Sequence, residues 1–310
     1  MTGRCFRIRV PASSANLGPG LDCLGLALAL YHDLTVVEEP GTGLAVEVAG
    51  RGARQLPADS RNAVYQAMAQ VLAGAGCRPG RLHLRCASSI PLAAGLGSSA
   101  AAYVAGAAAG MVLCGRDPDP RELVERGTRA EGHPDNVVPC VCGGFTVAAA
   151  AAGGVDFIRL EVPAELRAVV AVPGFRLPTR IAREALPAAV PLAAAAFNVG
   201  RASMLVAAVT AGAWELLRAA MQDALHQPYR SALVPGLEQV CTAAVDAGAL
   251  GAALSGAGPA IVALARAGAG GEPQLNAIGA AMVAAWRALR IESEYHVLGI
   301  DRQGLRVAQR

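Results

Sequence analysis

The sequence predicts an α+β protein in two halves, and three observations predict it. Strand-like and helix-like apolar patterns interleave along the whole chain. The 310 residues suit two domains with ordinary cores, or one large one. Hydrophobic residues make up 54% and charged residues 16%, which excludes a disordered chain.

The elements follow in order. Arg7 to Val10 alternates apolar and charged residues as a strand does, and Leu26 to Glu38 and Leu44 to Val48 also read as strands. Asn62 to Ala75 has helical spacing, with Asp59 or Ser60 ahead of it as a cap signal. Arg81 to Cys86 is a strand, Ser88 to Gly97 a loop, and Ser98 to Cys114 a helix stopped by Gly115. Pro120 to Arg129 reads as helix and Val141 to Ala150 as strand. A boundary near Gly153 to Val162 divides the chain into residues 1–157 and 158–310. The second half opens with the strand Leu166 to Val172. Helices are expected at Ile181 to Ala185, Phe197 to Thr210, Trp214 to Gln222, Pro235 to Ala247 and Gln274 to Arg287. Strands alternate with them at Gly251 to Leu254, Ala260 to Ala265, Glu294 to Leu298 and Leu305 to Val307, and Gly268 to Pro273 reads as a surface loop.

Composition excludes several functions. The formal charge is only +3, no basic block stands out and aromatics are 4%, so no nucleic-acid partner is expected. The eight cysteines form no Cys-x-x-Cys pair and the five histidines are scattered, which argues against zinc and a disulfide framework. The first residues hold no apolar run of signal length. Cys86 to Gly115 is uncharged and long enough to span a bilayer. Its first half is broken by Pro91, Gly95 and Gly97, so a glycine loop leading into a buried helix is expected instead. A reduced, soluble, cytoplasmic protein without a membrane partner follows.

The most informative stretch is Pro91-Leu92-Ala93-Ala94-Gly95-Leu96-Gly97-Ser98-Ser99-Ala100-Ala101. Unpaired amides and partial positive charge at a helix start, with glycines that admit an anion closely, make a phosphate cradle. A Walker loop requires Gly-Lys-Ser/Thr, and no lysine is present. The spacing also matches a dinucleotide fingerprint, but that motif follows its strand directly, and here Ser88 to Ala94 intervenes. From glycine spacing alone, a plain helix cap remains an equal alternative. Two further turns bear on it: Pro11 to Asp22, which offers Asn16 and Asp22, and Leu254-Ser255-Gly256-Ala257-Gly258-Pro259-Ala260.

With these three turns in this order, the chain resembles the GHMP kinases over nearly its whole length. Glu131-Gly132-His133-Pro134-Asp135-Asn136-Val137-Val138-Pro139 is similar to the homoserine-kinase branch of that family, as are Thr179-Arg180-Ile181-Ala182-Arg183 and Asp223-Ala224-Leu225-His226-Gln227-Pro228-Tyr229-Arg230. The resemblance implies an N-terminal domain like the second domain of ribosomal protein S5 and a ferredoxin-like C-terminal domain, with ATP between them. It implies a homodimer and an ATP-dependent phosphorylation of the side-chain hydroxyl of L-homoserine, a step of threonine biosynthesis. Another small alcohol such as mevalonate or shikimate is the alternative acceptor. An ATP-using decarboxylase and a non-catalytic nucleotide-binding module are the rivals from other classes.

The resemblance also assigns residues. The turn from Pro91 to Ala101 would hold the triphosphate, Ser99 and Glu131 a magnesium ion. Asn62 would belong to the nucleotide pocket, or serve only as a helix cap. Arg183 and Arg230 would bind the substrate carboxylate, and Asp22 or Asp135 its ammonium. Asn16 or Asn136 would hold the hydroxyl, with His133 and Thr179 in the same pocket. Asp135 is the candidate general base, although a loose transition state demands little of one.

Overall fold

The computed structural model describes residues 3–268 and 271–309. Its first sheet has seven strands: β1 (Arg4–Asn16), β2 (Gly20–Glu39), β3 (Leu44–Gly50), β4 (Arg81–Ser88), β5 (Phe145–Ala151), β6 (Gly154–Leu160) and β11 (Arg306–Gln309). The order is β11-β1-β2-β4-β3, and β5 joins β2 and carries β6 at its outer side. Only β3 and β4 run parallel, joined by the crossover helix α1 (Ala63–Gly74).

Alternation finds only part of β1 and β2. Beyond Val10 the strand continues through Pro11, Ser13 and Ser14, residues that read as turn. Ser13 and Ser14 are fully buried, and their hydroxyls bond Asn136 and Ser255. Register shifts at Pro11/Ala12 and Ala15/Asn16 bend β1 toward the site, as bulges do. The cap of α1 is neither Asp59 nor Ser60 but Asn62, whose Oδ1 accepts the Val64 N–H at 3.0 Å.

Helix α2 (Ser98–Leu113) is the buried helix expected, so the uncharged stretch from Cys86 divides into a strand end, a turn and this helix. Its small residues let α1 approach closely: a Cβ at Gly106 would overlap the Val64 carbonyl. Next come α3 (Pro120–Glu131) and α4 (Val137–Cys142), the latter unforeseen. Val141 and Cys142 are therefore helical, and β5 begins only after Gly143 and Gly144, both at positive φ. Strand β6 occupies the region where the boundary was expected, and the chain passes to the second sheet between Leu160 and Leu166.

The second sheet contains β7 (Leu166–Pro173), β8 (Gly251–Leu254), β9 (Ile261–Arg266) and β10 (Ser293–Gly299) in the order β10-β7-β9-β8, antiparallel throughout. With α9 (Leu237–Asp246) after β7 and α10 (Gly271–Ala288) after β9, it forms a βαββαβ split pair, the ferredoxin-like pattern. Alternate residues face opposite ways: Val169, Ala171, Ile261 and Ala263 pack with α9 and α10, while Ala168, Val170, Val262 and Leu264 join the core of the first sheet. The expected loop Gly268 to Pro273 is shortened, since α10 starts at Gly271; residues 269–270 lie outside the described residues.

Between β7 and α9 lie α5 (Thr179–Glu184), α6 (Leu192–Ala211), α7 (Leu217–Ala220) and α8 (Gln227–Arg230). The helix expected from Trp214 to Gln222 is a 3-10 turn followed by the four residues of α7. Helix α6 is long and apolar enough to cross a membrane by length and composition. Leu205, Ala208 and Val209 on it are buried in the first core, while Leu192 and Val199 are exposed. The final strand β11 leaves the second half and pairs with β1.

Candidate active site

Local sequence places each part of the site. The turn after β1 holds Asn16 and Leu17 at positive φ, and Asp22 on β2 is also left-handed. Ala93, in the glycine turn, is a fourth. Such conformations in residues with a Cβ collect at functional sites. Gly97 precedes α2 at φ 68°, and no side chain caps the helix. The first-turn amides of Ser98 to Ala100 are thus free for an anion. The end of α3 and the five-residue link to α4 bring Glu131, His133, Asp135 and Asn136 to the same place.

The three turns are stitched together. Ala260 donates its N–H to the Ala94 carbonyl at 3.0 Å, and Ser255 Oγ donates to the Gly95 carbonyl at 2.7 Å. Gly256 donates to the Ala15 carbonyl at 2.9 Å, and Asn16 Nδ2 donates to the Gly256 carbonyl at 2.8 Å. A Cβ at Gly95 would overlap the Ser255 carbonyl, so glycine is required where the turns meet.

A cavity of about 100 Å³ opens where they meet. Asn16, Asp22, His133, Asp135, Asn136, Thr179, Arg183 and Arg230 all line it, together with Glu131 and the turn from Ala93 to Ser99. Pro91 and Leu92 instead line a neighbouring cleft of about 460 Å³, bordered by Arg51, Phe175 and Glu294. Ala100 and Ala101 are buried inside α2. Asn62 lines neither space: its Nδ2 donates to the Pro57 carbonyl at 2.8 Å, so its amide is spent on the cap and the preceding turn.

Charges in the cavity are paired. Arg183 grips both oxygens of Asp22, at 2.6 and 3.0 Å. Burial, the largest single influence, would raise the Asp22 carboxyl, but the bond to this guanidinium and the charges of Arg183, His133 and Arg230 together hold the group below its ordinary value. Burial, the largest single influence, would lower the His133 imidazole, yet its Nδ1 hydrogen bond to Asp135 and the charges of Asp135 and Asp22 together raise it. Arg230 is 2% exposed; burial and then the Arg183 charge lower its value, though an arginine stays charged. Ser99 Oγ donates to Glu131 Oε1 at 2.6 Å. One hydroxyl beside one carboxylate is a donor set that fits a magnesium ion completed by water and phosphate. A second cluster, Asp22, His133 and Asp135, brings three ligand atoms within 4.8 Å of one another.

Several residues here have no role assigned from the sequence, although the turns that carry most of them were singled out there. Gly256 and Ala257 line the cavity, and Ser255 and Ser13 brace it. Asn198 on α6 reaches the turn after β1 through the Pro19 carbonyl at 2.7 Å. The one signal for Asn198 is a polar residue in the otherwise apolar first half of α6, Leu192 to Gly200.

Comparison with known proteins agrees with this arrangement. A family model described as GHMP kinases N terminal domain matches residues 62–144, and one described as GHMP kinases C terminal matches residues 205–287. A homoserine kinase of Carboxydothermus hydrogenoformans is 44% identical over 261 residues, 84% of this chain and 85% of that one. A homoserine kinase of Microchaete diplosiphon is 40% identical over 297 residues, 96% and 95% of the two chains. The crystal structure of homoserine kinase from Cytophaga hutchinsonii superposes with a TM-score of 0.87 at 32% identity, over 98% of both chains. Two-domain fold and relatives together define an enzyme of the phosphotransferase class. The chain belongs to the GHMP kinase family, and within it to the homoserine kinases.

Proposed function

We propose that the enzyme transfers the γ-phosphoryl group of ATP to the side-chain hydroxyl of L-homoserine, giving O-phospho-L-homoserine and ADP. The observation that carries this is one cavity in which an anion-cradling turn and Glu131 meet two arginines, Asp22 and Asp135, the complement of a zwitterion. The free amides of the turn hold the triphosphate, with Ser99 and Glu131 as ligands for magnesium, which would neutralise phosphate charge. Arg230 and Arg183 take the substrate carboxylate, and Asp22 its ammonium. Asn16 already uses both polar atoms, donating to Gly256 and accepting from the Asp22 N–H. Asn136 accepts from Ser13 through Oδ1 at 2.9 Å, and its Nδ2 makes no hydrogen bond among the described residues, so it is the better holder of the hydroxyl.

In the transfer, the hydroxyl oxygen bonds to the γ-phosphorus, the bond to the ADP oxygen breaks, and the hydroxyl proton is released to water. Asp135 is engaged by His133 through Oδ1. We assign it to positioning and charge balance, since a loose transition state requires little proton abstraction. Asp135→Asn therefore keeps most of its turnover at saturating homoserine; loss of turnover by several orders of magnitude makes Asp135 an essential base. The function itself is tested by one coupled assay with ATP and magnesium, offering L-homoserine, mevalonate and shikimate in parallel. ADP release with either of the latter, and not with homoserine, overturns the proposal. The expected homodimer belongs to the same proposal, and sedimentation velocity decides it. A cytoplasmic location does too, supported by the eight cysteines, all free thiols.

A further inference from the structure

His226 is fully buried and touches two separate parts of the site. Its Nε2 lies 2.7 Å from the Gly18 carbonyl, in the turn that carries Asn16. Its Nδ1 lies 3.2 Å from Arg230 Nη1. These contacts fix the ring's proton. A guanidinium only donates, so Nδ1 must be the acceptor. A carbonyl only accepts, so Nε2 must carry the hydrogen. The ring is then neutral, with one proton in one place.

The backbone of this segment is held by Asp223, whose Oδ2 also lies 3.5 Å from the Nε2 that carries the hydrogen. Asp223 accepts the N–H groups of Leu225 at 2.9 Å, His226 at 3.1 Å and Gln227 at 2.6 Å. The imidazole is thus delivered into the interior by a braced turn. Arg230 gives Nε to the Ala182 carbonyl at 3.0 Å and shares Nη1 between His226 and the Gly256 carbonyl at 3.2 Å. Nη2 makes no hydrogen bond among the described residues, and Arg230 lines the cavity.

We infer that His226 is a positioning residue, which as the neutral Nε2–H tautomer aims the free Nη2 of Arg230 into the acceptor pocket while tying that arginine to the Gly18 turn. The inference rests on homoserine being the acceptor, since it assigns Arg230 to a carboxylate. Its role is in acceptor affinity, not in the chemical step.

Two substitutions separate the ring's two contacts. His226→Gln places a donor near Nε2 and loses the acceptor toward Arg230. His226→Asn keeps an acceptor near Nδ1. We expect H226Q to raise KM for homoserine at least tenfold, with KM for ATP and kcat within about threefold of the parent, and H226N to recover most of that loss. An unchanged homoserine KM in H226Q overturns the inference. So does an equal loss in both variants that extends to ATP, because that is the behaviour of a packing residue. Nitrogen-15 spectra of the unsubstituted protein provide a second arm that needs no variant to fold and no substrate to be correct. A neutral Nε2–H signature for His226 from pH 6 to 8 supports the inference. An imidazolium or an Nδ1–H tautomer overturns it, even if the enzyme phosphorylates homoserine.

Discussion

At the scale of single residues, the site's own charges answer one another before a substrate arrives. Asp22 and Arg183, assigned to opposite ends of the zwitterion, are bonded to each other, so binding exchanges one ion pair for two. Both are more than a third exposed, so their mutual bond contributes only about 0–1 kcal/mol. Arg230 is different because it is buried. Arg230→Leu should weaken homoserine binding by about 2–5 kcal/mol, read as a rise in KM, with Arg183→Leu costing less. An unchanged KM in the Arg230 variant refutes its placement. Ser255 offers another residue-scale test. Its hydroxyl meets both Gly95 and Ser14, so Ser255→Ala should lower stability by about 1–3 kcal/mol in urea titrations and raise KM for ATP. The turn residues were legible in the sequence as chemistry but not as contacts. Nothing in Leu254 to Ala260 announced that its serine braces the phosphate turn, because that bond joins residues 160 positions apart.

At the scale of elements, strand β2 carries a pH-sensitive residue inward. His32 is 6% exposed, its Nε2 has no partner, and burial pushes its imidazole down to about 4. Between that value and 6.5 the unfolded chain takes up a proton that the native one refuses. Stability is therefore lost as pH falls through this window, by roughly 3 kcal/mol at its lower end. His32→Phe should flatten that slope in denaturant titrations at pH 4.5 and 7. A slope unchanged by the substitution assigns the acid sensitivity elsewhere. The α1–α2 pair makes a second expectation: Gly106→Val should cost at least about 1–3 kcal/mol by overpacking against the Val64 carbonyl, seen as a lower midpoint of thermal unfolding. Helices with clear spacing, such as α2, α3 and α9, were legible within a few residues. Helices α4 and α8 were not, because each is held by tertiary contacts around Asn136 or Asp223 rather than by periodicity. Strand β6 was lost because it falls where the boundary was expected and its exposed Ile158 breaks the alternation.

At the scale of the whole molecule, the two sheets share a core, because one face of the second packs into the first. The division into halves was legible from the interleaved patterns, but the return of β11 to β1 was not, since four residues cannot declare which edge they will complete. Every one of the 27 cationic side chains is an arginine. Positive charge therefore does not titrate away below about pH 12, and amine-directed reagents find no side chain to modify. Asp301 anchors the returning segment by accepting from Tyr31 at 3.0 Å and from Arg306 at 2.6 Å. Removing residues 301–310 should leave β1 with a bare edge and give insoluble or loosened protein; a soluble product with unchanged melting would show that edge to be dispensable.

That closing strand also orders events during synthesis. The ribosome emits β1 long before its outer neighbour β11. Until β11 emerges, a row of unpaired amides and carbonyls therefore waits along Phe6 to Arg9. The nascent chain cannot complete its first sheet as it emerges. A holding chaperone, or fast elongation over the codons of β11, would be felt at this seam.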